Sequence, residues 1–146
     1  MKRNILIHSL EELEQFAKGF AEEIQAEPFC VVTLTGDLAA GKTTFTQFVA
    51  KYLGVKDHVQ SPTYALLRSY TIPAEAEYLH HLDLYRVEDS ESIESYGIID
   101  LLQARKGLFF IEWPEVIKPI FRDLKITEIA ITISLENASR FINIEK

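Results

Sequence analysis

The chain has 146 residues, 47% hydrophobic and 25% charged, with 6 Gly and 5 Pro. That length and balance specify one globular domain, residues 1–146, and exclude disordered, collagenous and low-complexity classes. The net charge is −7, from 15 basic and 22 acidic side chains, and no Lys/Arg cluster stands out, so autonomous nucleic-acid binding is disfavoured.

Lys2 and Arg3 open the chain, but the sequence turns acidic by Glu11 and shows no long apolar stretch or small-residue cleavage site, so no leader is expected. Ser9 and Glu12 form a capping box. Leu10, Leu13, Phe16, Ala17, Phe20, Ala21 and Ile24 then recur at helical spacing, which predicts a helix with one buried stripe. Residues 29–35, bounded by Pro28 and Gly36, read as a buried strand. Within it sits the one cysteine, Cys30, read as a small buried hydrophobe; with no disulfide partner it fits a reducing, cytoplasmic setting. Residues 43–53 read as a helix that Gly54 stops. Residues 65–72 and 78–85 read as strands joined by a hairpin-like turn at Pro73-Ala74-Glu75. Residues 90–105 read as a helix interrupted near Gly97, and 108–113 as an apolar strand stopped by Pro114. Residues 126–135 and 140–144 alternate around Glu136-Asn137-Ala138 and predict a C-terminal hairpin. Helices that interleave with buried strands give an α/β sheet with mixed strand directions. No apolar run approaches the roughly 18 residues of a membrane-spanning helix, so no membrane partner is expected.

Between Glu75 and Asp100 there are eight acids and one base, Arg86, so this segment alone carries −7. It reads either as a solvated face or as a docking surface for a basic partner.

The strongest chemical signal is Gly36-Asp37-Leu38-Ala39-Ala40-Gly41-Lys42-Thr43. It matches the phosphate-loop pattern G-x-x-x-x-G-K-[ST] between a predicted strand and a predicted helix. Gly36 and Gly41 permit a tight turn that points successive N–H groups into one hollow, and the helix that begins near Gly41 adds the positive end of its dipole. Lys42 can reach the β- and γ-phosphates, and Thr43 can place its hydroxyl on Mg²⁺.

Such a loop needs an acid to hold Mg²⁺ or to orient water, and two strand-end acids qualify. Glu112 follows the apolar run Leu108-Phe109-Phe110-Ile111 and should emerge at the carboxyl edge of the sheet, where ligands bind in open α/β folds. Asp83, in Leu82-Asp83-Leu84-Tyr85-Arg86, is the other; each reads alternatively as a surface acid. Thr63, in Ser61-Pro62-Thr63-Tyr64, is either part of a plain turn or a sensor of the γ-phosphate. Trp113 is a core residue or a reporter of bound nucleotide. His80 and His81 face opposite sides of a strand and, like His8 and His58, take structural roles; no zinc site is expected. Asn occurs only at 4, 137 and 143, so the N-K-x-D string that selects guanine is absent and adenine is favoured.

Four blocks fall in a set order: the phosphate loop through Thr44, Ser61-Pro62-Thr63-Tyr64, His81-Leu82-Asp83-Leu84-Tyr85-Arg86, and Ile111-Glu112-Trp113-Pro114. Together with the acidic segment Ser92-Ile93-Glu94-Ser95-Tyr96-Gly97-Ile98, they resemble the bacterial TsaE (YjeE-type) P-loop ATPases, which serve threonylcarbamoyladenosine (t⁶A) formation in tRNA. The resemblance implies a three-layer P-loop NTPase fold with a mixed, mainly parallel central sheet, and an activity that binds Mg·ATP and slowly hydrolyses it to ADP and phosphate. It implies that Lys42 binds phosphate, that Thr43 and Glu112 hold Mg²⁺, and that Asp83 assists catalysis or metal binding. It places Thr44 with the nucleotide loop and Thr63 and Trp113 in nucleotide-responsive segments, with Arg140 and the stretch from Ser9 to Glu12 flanking the nucleotide. The implied partners are the TsaB and TsaD proteins, TsaD acting on adenosine 37, with tRNA met only indirectly. Ala39 stands where the family loop usually has glycine; at a left-handed position alanine would cost about 1 kcal/mol.

Two other readings compete. One is a small-molecule kinase with Asp83 as base, although no arginine-rich lid segment is present. The other is a non-enzymatic nucleotide switch. Nothing marks a dedicated arginine finger, Arg86 being the nearest candidate, so hydrolysis by the isolated chain should be weak.

Overall fold

A computed structural model of the chain describes residues 1–37, 40–62 and 65–146. The chain opens with a strand, β1 (Lys2–Ile7), and enters α1 (Leu10–Ile24) through Ser9, whose hydroxyl accepts the Glu12 amide at 3.1 Å. The Glu12 carboxylate reaches back to the His8 amide at 2.7 Å, so donors at the helix mouth are satisfied from both sides. β2 (Phe29–Thr35) runs into the phosphate loop, and α2 (Lys42–Leu53) follows, ended by Gly54 at φ 91°. β3 (Leu67–Thr71) and β4 (Tyr78–Asp83) form an antiparallel hairpin. Gly97 at φ 73° separates two short helices, α3 (Ser90–Ser95) and α4 (Ile98–Gln103). Then come β5 (Gly107–Glu112), a 3-10 turn (Pro114–Val116), α5 (Lys118–Leu124), β6 (Ile129–Glu136) and β7 (Ser139–Glu145).

The strands make one sheet in the order β1-β7-β6-β2-β5-β4-β3. Its centre, β6-β2-β5-β4, is parallel, and both margins are antiparallel. The helices α1 and α2 cover one face, where the rings of Phe16, Phe20, Phe45 and Phe110 meet at centroid distances of 5.6–6.4 Å. On the other face, Ile93, Ile98, Leu102 and Phe121 of α3, α4 and α5 pack on Val31, Leu82, Phe109 and Ile111. This is the three-layer P-loop NTPase arrangement, with its C-terminal hairpin, that the sequence led us to expect.

The structure departs from the sequence reading at several points, each with a local cause. The strand read over 65–72 starts at Leu67, because the amides of Ala65 and Leu66 both turn back onto the Pro62 carbonyl and Leu66 sits at φ 65°. The strand read over 78–85 stops at Asp83, whose carboxylate accepts the Tyr85 amide at 3.0 Å and starts a turn. The strand read over 108–113 stops at Glu112, since Trp113 is left-handed at φ 56°. The first strand of the C-terminal hairpin starts at Ile129 rather than 126; the Ile126 amide is occupied by the Phe121 carbonyl at the end of α5. Both β1 and α5 are absent from that reading. Leu38, Ala39, Thr63 and Tyr64 lie outside the described residues.

Candidate nucleotide site

Three parallel strands bring the chemistry together. The register pairs Leu34 of β2 with Glu112 of β5, and Glu112 with Asp83 of β4, so both acids stand beside the phosphate loop at the carboxyl edge. Gly36 leaves β2 where a Cβ would lie 2.2 Å from the Ile133 carbonyl oxygen, so only glycine fits. Gly41, at φ 110°, caps α2 without a side chain, and the first amides of that helix therefore face the opening with no intrahelical partner. Added to the positive end of the helix dipole, they form an anion seat. Arg140 of β7 crosses over the loop and donates from Nε to the Ala40 carbonyl at 3.1 Å.

Lys42 is only 4% exposed. Its Nζ donates to the Gly36 carbonyl at 2.5 Å and lies 3.8 Å from the centre of the Trp113 ring. Burial pushes the Lys42 ammonium below its ordinary range, while Glu112, Asp83, Glu115 and Asp37 pull it back up. Thr43 donates its hydroxyl to Glu112 at 3.2 Å from Oε2 and 3.4 Å from Oε1. Glu112, 3% exposed, is also bonded to His81, whose Nε2 is 2.6 Å from Oε2. Asp83 is buried beside it, and the rings of Tyr85 and Trp113 meet at 4.9 Å over the edge of the site.

These groups surround a cavity of about 560 Å³. Of the residues singled out in the sequence, Gly41, Lys42, Thr43, Thr44, Asp83, Glu112, Trp113 and Arg140 line it. Gly36, Asp37 and Ala40 shape the loop behind it, Gly36 through its bond to Lys42 and Asp37 by accepting the Ala40 amide at 3.1 Å. Leu38, Ala39 and Thr63 are the expected site residues outside the described part. The stretch from Ser9 to Glu12 is not part of this lining. Arg86, the nearest arginine-finger candidate, joins it as well, with Ser61 and Tyr85 from the same sequence blocks. His81 makes contact that sequence reasoning missed; period-two alternation put the two histidines on opposite faces, but which face meets the site is decided by the β4–β5 register.

Among the described residues no three His, Cys, Asp or Glu side chains group as a self-sufficient metal cage. The donors that do converge, the Thr43 hydroxyl and the Glu112 and Asp83 carboxylates, are oxygens. That set suits Mg²⁺, which takes one or two protein carboxylates and completes its shell with phosphate and water.

Another cavity, of about 470 Å³, opens at the amino edge between Phe20, Phe29 and Ile144. Its thiol, Cys30, is pushed up to about 11 by burial and is no nucleophile at neutral pH.

The acidic segment is not one face. Asp83 belongs to the site, Glu77 pairs with Lys106 at 3.0 Å, and Asp89 caps α3 by accepting the Ser92 amide at 3.1 Å. Glu88, Glu91 and Glu94 are exposed. No helix among the described residues is long and apolar enough to cross a membrane.

Comparison with known proteins gives one consistent result. Residues 7–142 match the sequence family described as threonylcarbamoyl adenosine biosynthesis protein TsaE. The tRNA threonylcarbamoyladenosine biosynthesis protein TsaE of Rickettsia bellii is 39% identical over 114 residues, 77% of this chain and 75% of that protein. Its namesake from Rickettsia typhi is 36% identical over 141 residues, 96% of this chain and 92% of that protein. The crystal structure of Bacillus subtilis YdiB superposes with a TM-score of 0.71 at 26% identity, covering 99% of this chain and 84% of that one.

Proposed function

This chain belongs to the TsaE family, and on that premise we propose that it binds Mg·ATP, hydrolyses it slowly, and so drives or resets a TsaB–TsaD complex during threonylcarbamoylation of adenosine 37 in tRNA. The observation that carries the proposal is the convergence of Lys42, Thr43, Asp83 and Glu112 on one cavity at the mouth of α2.

The unpartnered amides of α2 and the Lys42 ammonium bind the β- and γ-phosphates. Burial disfavours the charge on Lys42, so an arriving anion restores a stabilising partner to it. Thr43 and Glu112 would hold Mg²⁺, with Asp83 alongside, and the ion supplies neutralisation of phosphate charge when bound. Asp83, adjacent in register and braced by the Tyr85 amide, orients the attacking water. Trp113, in contact with Lys42, responds when phosphate draws that side chain away. Arg86 and Arg140 line the cavity, but Arg140 is engaged with the Ala40 carbonyl, which is consistent with slow turnover until a partner completes the charge stabilisation. The absence of a guanine-selecting string supports adenine as the base. The lack of a basic cluster supports a subunit that meets tRNA only through its partners, and a single cysteine with no disulfide partner fits a cytoplasmic setting.

The test is Lys42→Ala, followed by calorimetric titration with ATP and by t⁶A formation in a mixture reconstituted with TsaB, TsaD and tRNA. Loss of tight ATP binding and of modification is expected; unchanged ATP affinity would overturn the assignment.

A further inference from the structure

Two adjacent histidines on β4 are both buried, yet their surroundings differ. His80 faces the α3–α5 side, where its Nδ1 is 2.7 Å from the Ser69 hydroxyl and its ring packs 4.7 Å from that of Phe109. His81 faces the other way, opposite Phe110 in register, and reaches diagonally to the acid two positions further along β5. Its Nε2 is 2.6 Å from Glu112 Oε2. The His81 side chain is 0% exposed, and its buried Nδ1 has no hydrogen-bond partner among the described residues.

We propose that His81 is a positioning residue for Glu112: its ring donates the Nε2 hydrogen to Oε2 and holds the carboxylate against Thr43, ready for the metal–nucleotide. The inference rests on the nucleotide-site reading above. The orphaned Nδ1 selects the tautomer. A hydrogen there would be a buried donor with no acceptor, a cost that a bare lone pair reduces, whereas a hydrogen on Nε2 is satisfied by a carboxylate. Donation from one side and Thr43 from the other leave Glu112 little rotameric freedom. Glu112 lines the cavity and His81 does not, so His81 acts through the carboxylate and not on the ligand. Outer partners of metal-holding carboxylates typically change metal affinity or activity by 10–100-fold when removed.

The experiment measures Mn²⁺ affinity of the protein–ADP complex by electron paramagnetic resonance, and ADP affinity in EDTA by calorimetry. It compares wild type, His81→Phe and His81→Gln. Phe keeps the ring volume and loses the donor; Gln returns an N–H near the same place. The expected result is a loss of about 10-fold or more in Mn²⁺ affinity for His81→Phe, metal-free ADP affinity within about 2-fold of wild type, and substantial recovery in His81→Gln. A purely structural role would lower thermal stability but leave this metal-specific difference absent. Unchanged Mn²⁺ affinity in folded His81→Phe, or no recovery with Gln, overturns the proposal while leaving the nucleotide site standing. Failure of wild type to bind Mn·ADP overturns both. If His81→Phe does not fold, nitrogen NMR of wild type decides: hydrogen on Nε2 and none on Nδ1 supports the proposal, and the opposite tautomer overturns it.

Discussion

Both faces of the sheet carry an apolar core, but they differ in the polar groups they bury with it. On the α1–α2 side, at the carboxyl edge, the chain buries Lys42, His81, Asp83 and Glu112 within reach of one cavity. On the α3–α5 side the strands and helices meet almost entirely through apolar groups, and the buried polar exceptions are local pairs: His80 with Ser69, and Thr33 with Glu128. Buried charge costs stability unless it is paired, whereas apolar packing contributes it directly. Both faces therefore hold the molecule together by apolar packing, and the α1–α2 face, beyond its phenylalanine core, also keeps charged groups poised at its carboxyl edge. Substitutions on the two faces should consequently fail in different ways.

The largest effect belongs to the apolar face. Phe109 is fully buried on β5, against His80 and 5.9 Å from the Phe29 ring. Phe109→Ala should cost about 3–5 kcal/mol of unfolding free energy by denaturant titration, while the fraction that stays folded binds ATP as wild type does. A large loss of ATP affinity in folded protein would break the division between the faces.

Glu112, three residues along the same strand and on the opposite face, should show the reverse. Glu112→Gln keeps the size and most hydrogen bonds but removes the charge, so nucleotide should stay bound while hydrolysis falls roughly 10²-fold. Near-normal turnover, with loss instead in Asp83→Asn, would transfer the leading role to the neighbouring acid.

This division was partly legible in the sequence. The phosphate loop and the strand ending in Glu112 are local strings whose residue types are dictated by what they touch, so they could be read without the fold. The apolar stripe of α1 was readable for the same reason. β1 was not, because it becomes a strand only by pairing with β7 at the far end of the chain, Asn4 opposite Asn143. α5 spans 7 residues with a proline in its first turn, too short for a periodic signal. Ser61, Tyr85 and Arg86 stood in legible blocks, Arg86 as the nearest arginine-finger candidate, but the role of His81 depends on strand register, which spacing along the chain does not encode. The −7 of residues 75–100 was legible as a sum but not as a surface, since Asp83, Glu77 and Asp89 each have separate work.

That last point sharpens a smaller prediction. The exposed acids Glu88, Glu91 and Glu94 lie outside both the core and the site. If they recruit a basic partner, changing all three to lysine should weaken association with TsaB–TsaD about 10-fold at low salt and less at high salt, with ATP affinity unchanged. Asp89 is left in place because removing a helix cap would cost about 1 kcal/mol and confuse the result. Equal association by the triple variant at both salt concentrations would return this segment to a solvated face.

The smallest effect separates the two histidines. Burial lowers the His80 pKa from its ordinary 6.5, so the folded chain holds this ring neutral more strongly than the unfolded chain does. Below about pH 6.5 the unfolded state therefore takes up more protons at this position. The stabilisation is fully present above the unfolded value and is lost as pH falls through the lower, folded one. His80→Phe removes the titrating group while retaining a ring beside Phe109 and Tyr78, although it gives up the Ser69 bond. The absolute stability of the variant is thus a poor guide, and its difference from wild type is the useful quantity. In denaturant titrations between about pH 7.5 and about pH 5, that difference should move in favour of His80→Phe as pH falls. ATP affinity at neutral pH should remain that of wild type, because His80 faces away from the cavity. A stability difference that stays flat across this range would mean the ring is not held neutral by the apolar face, and a change in ATP affinity would mean the two faces are coupled through β4.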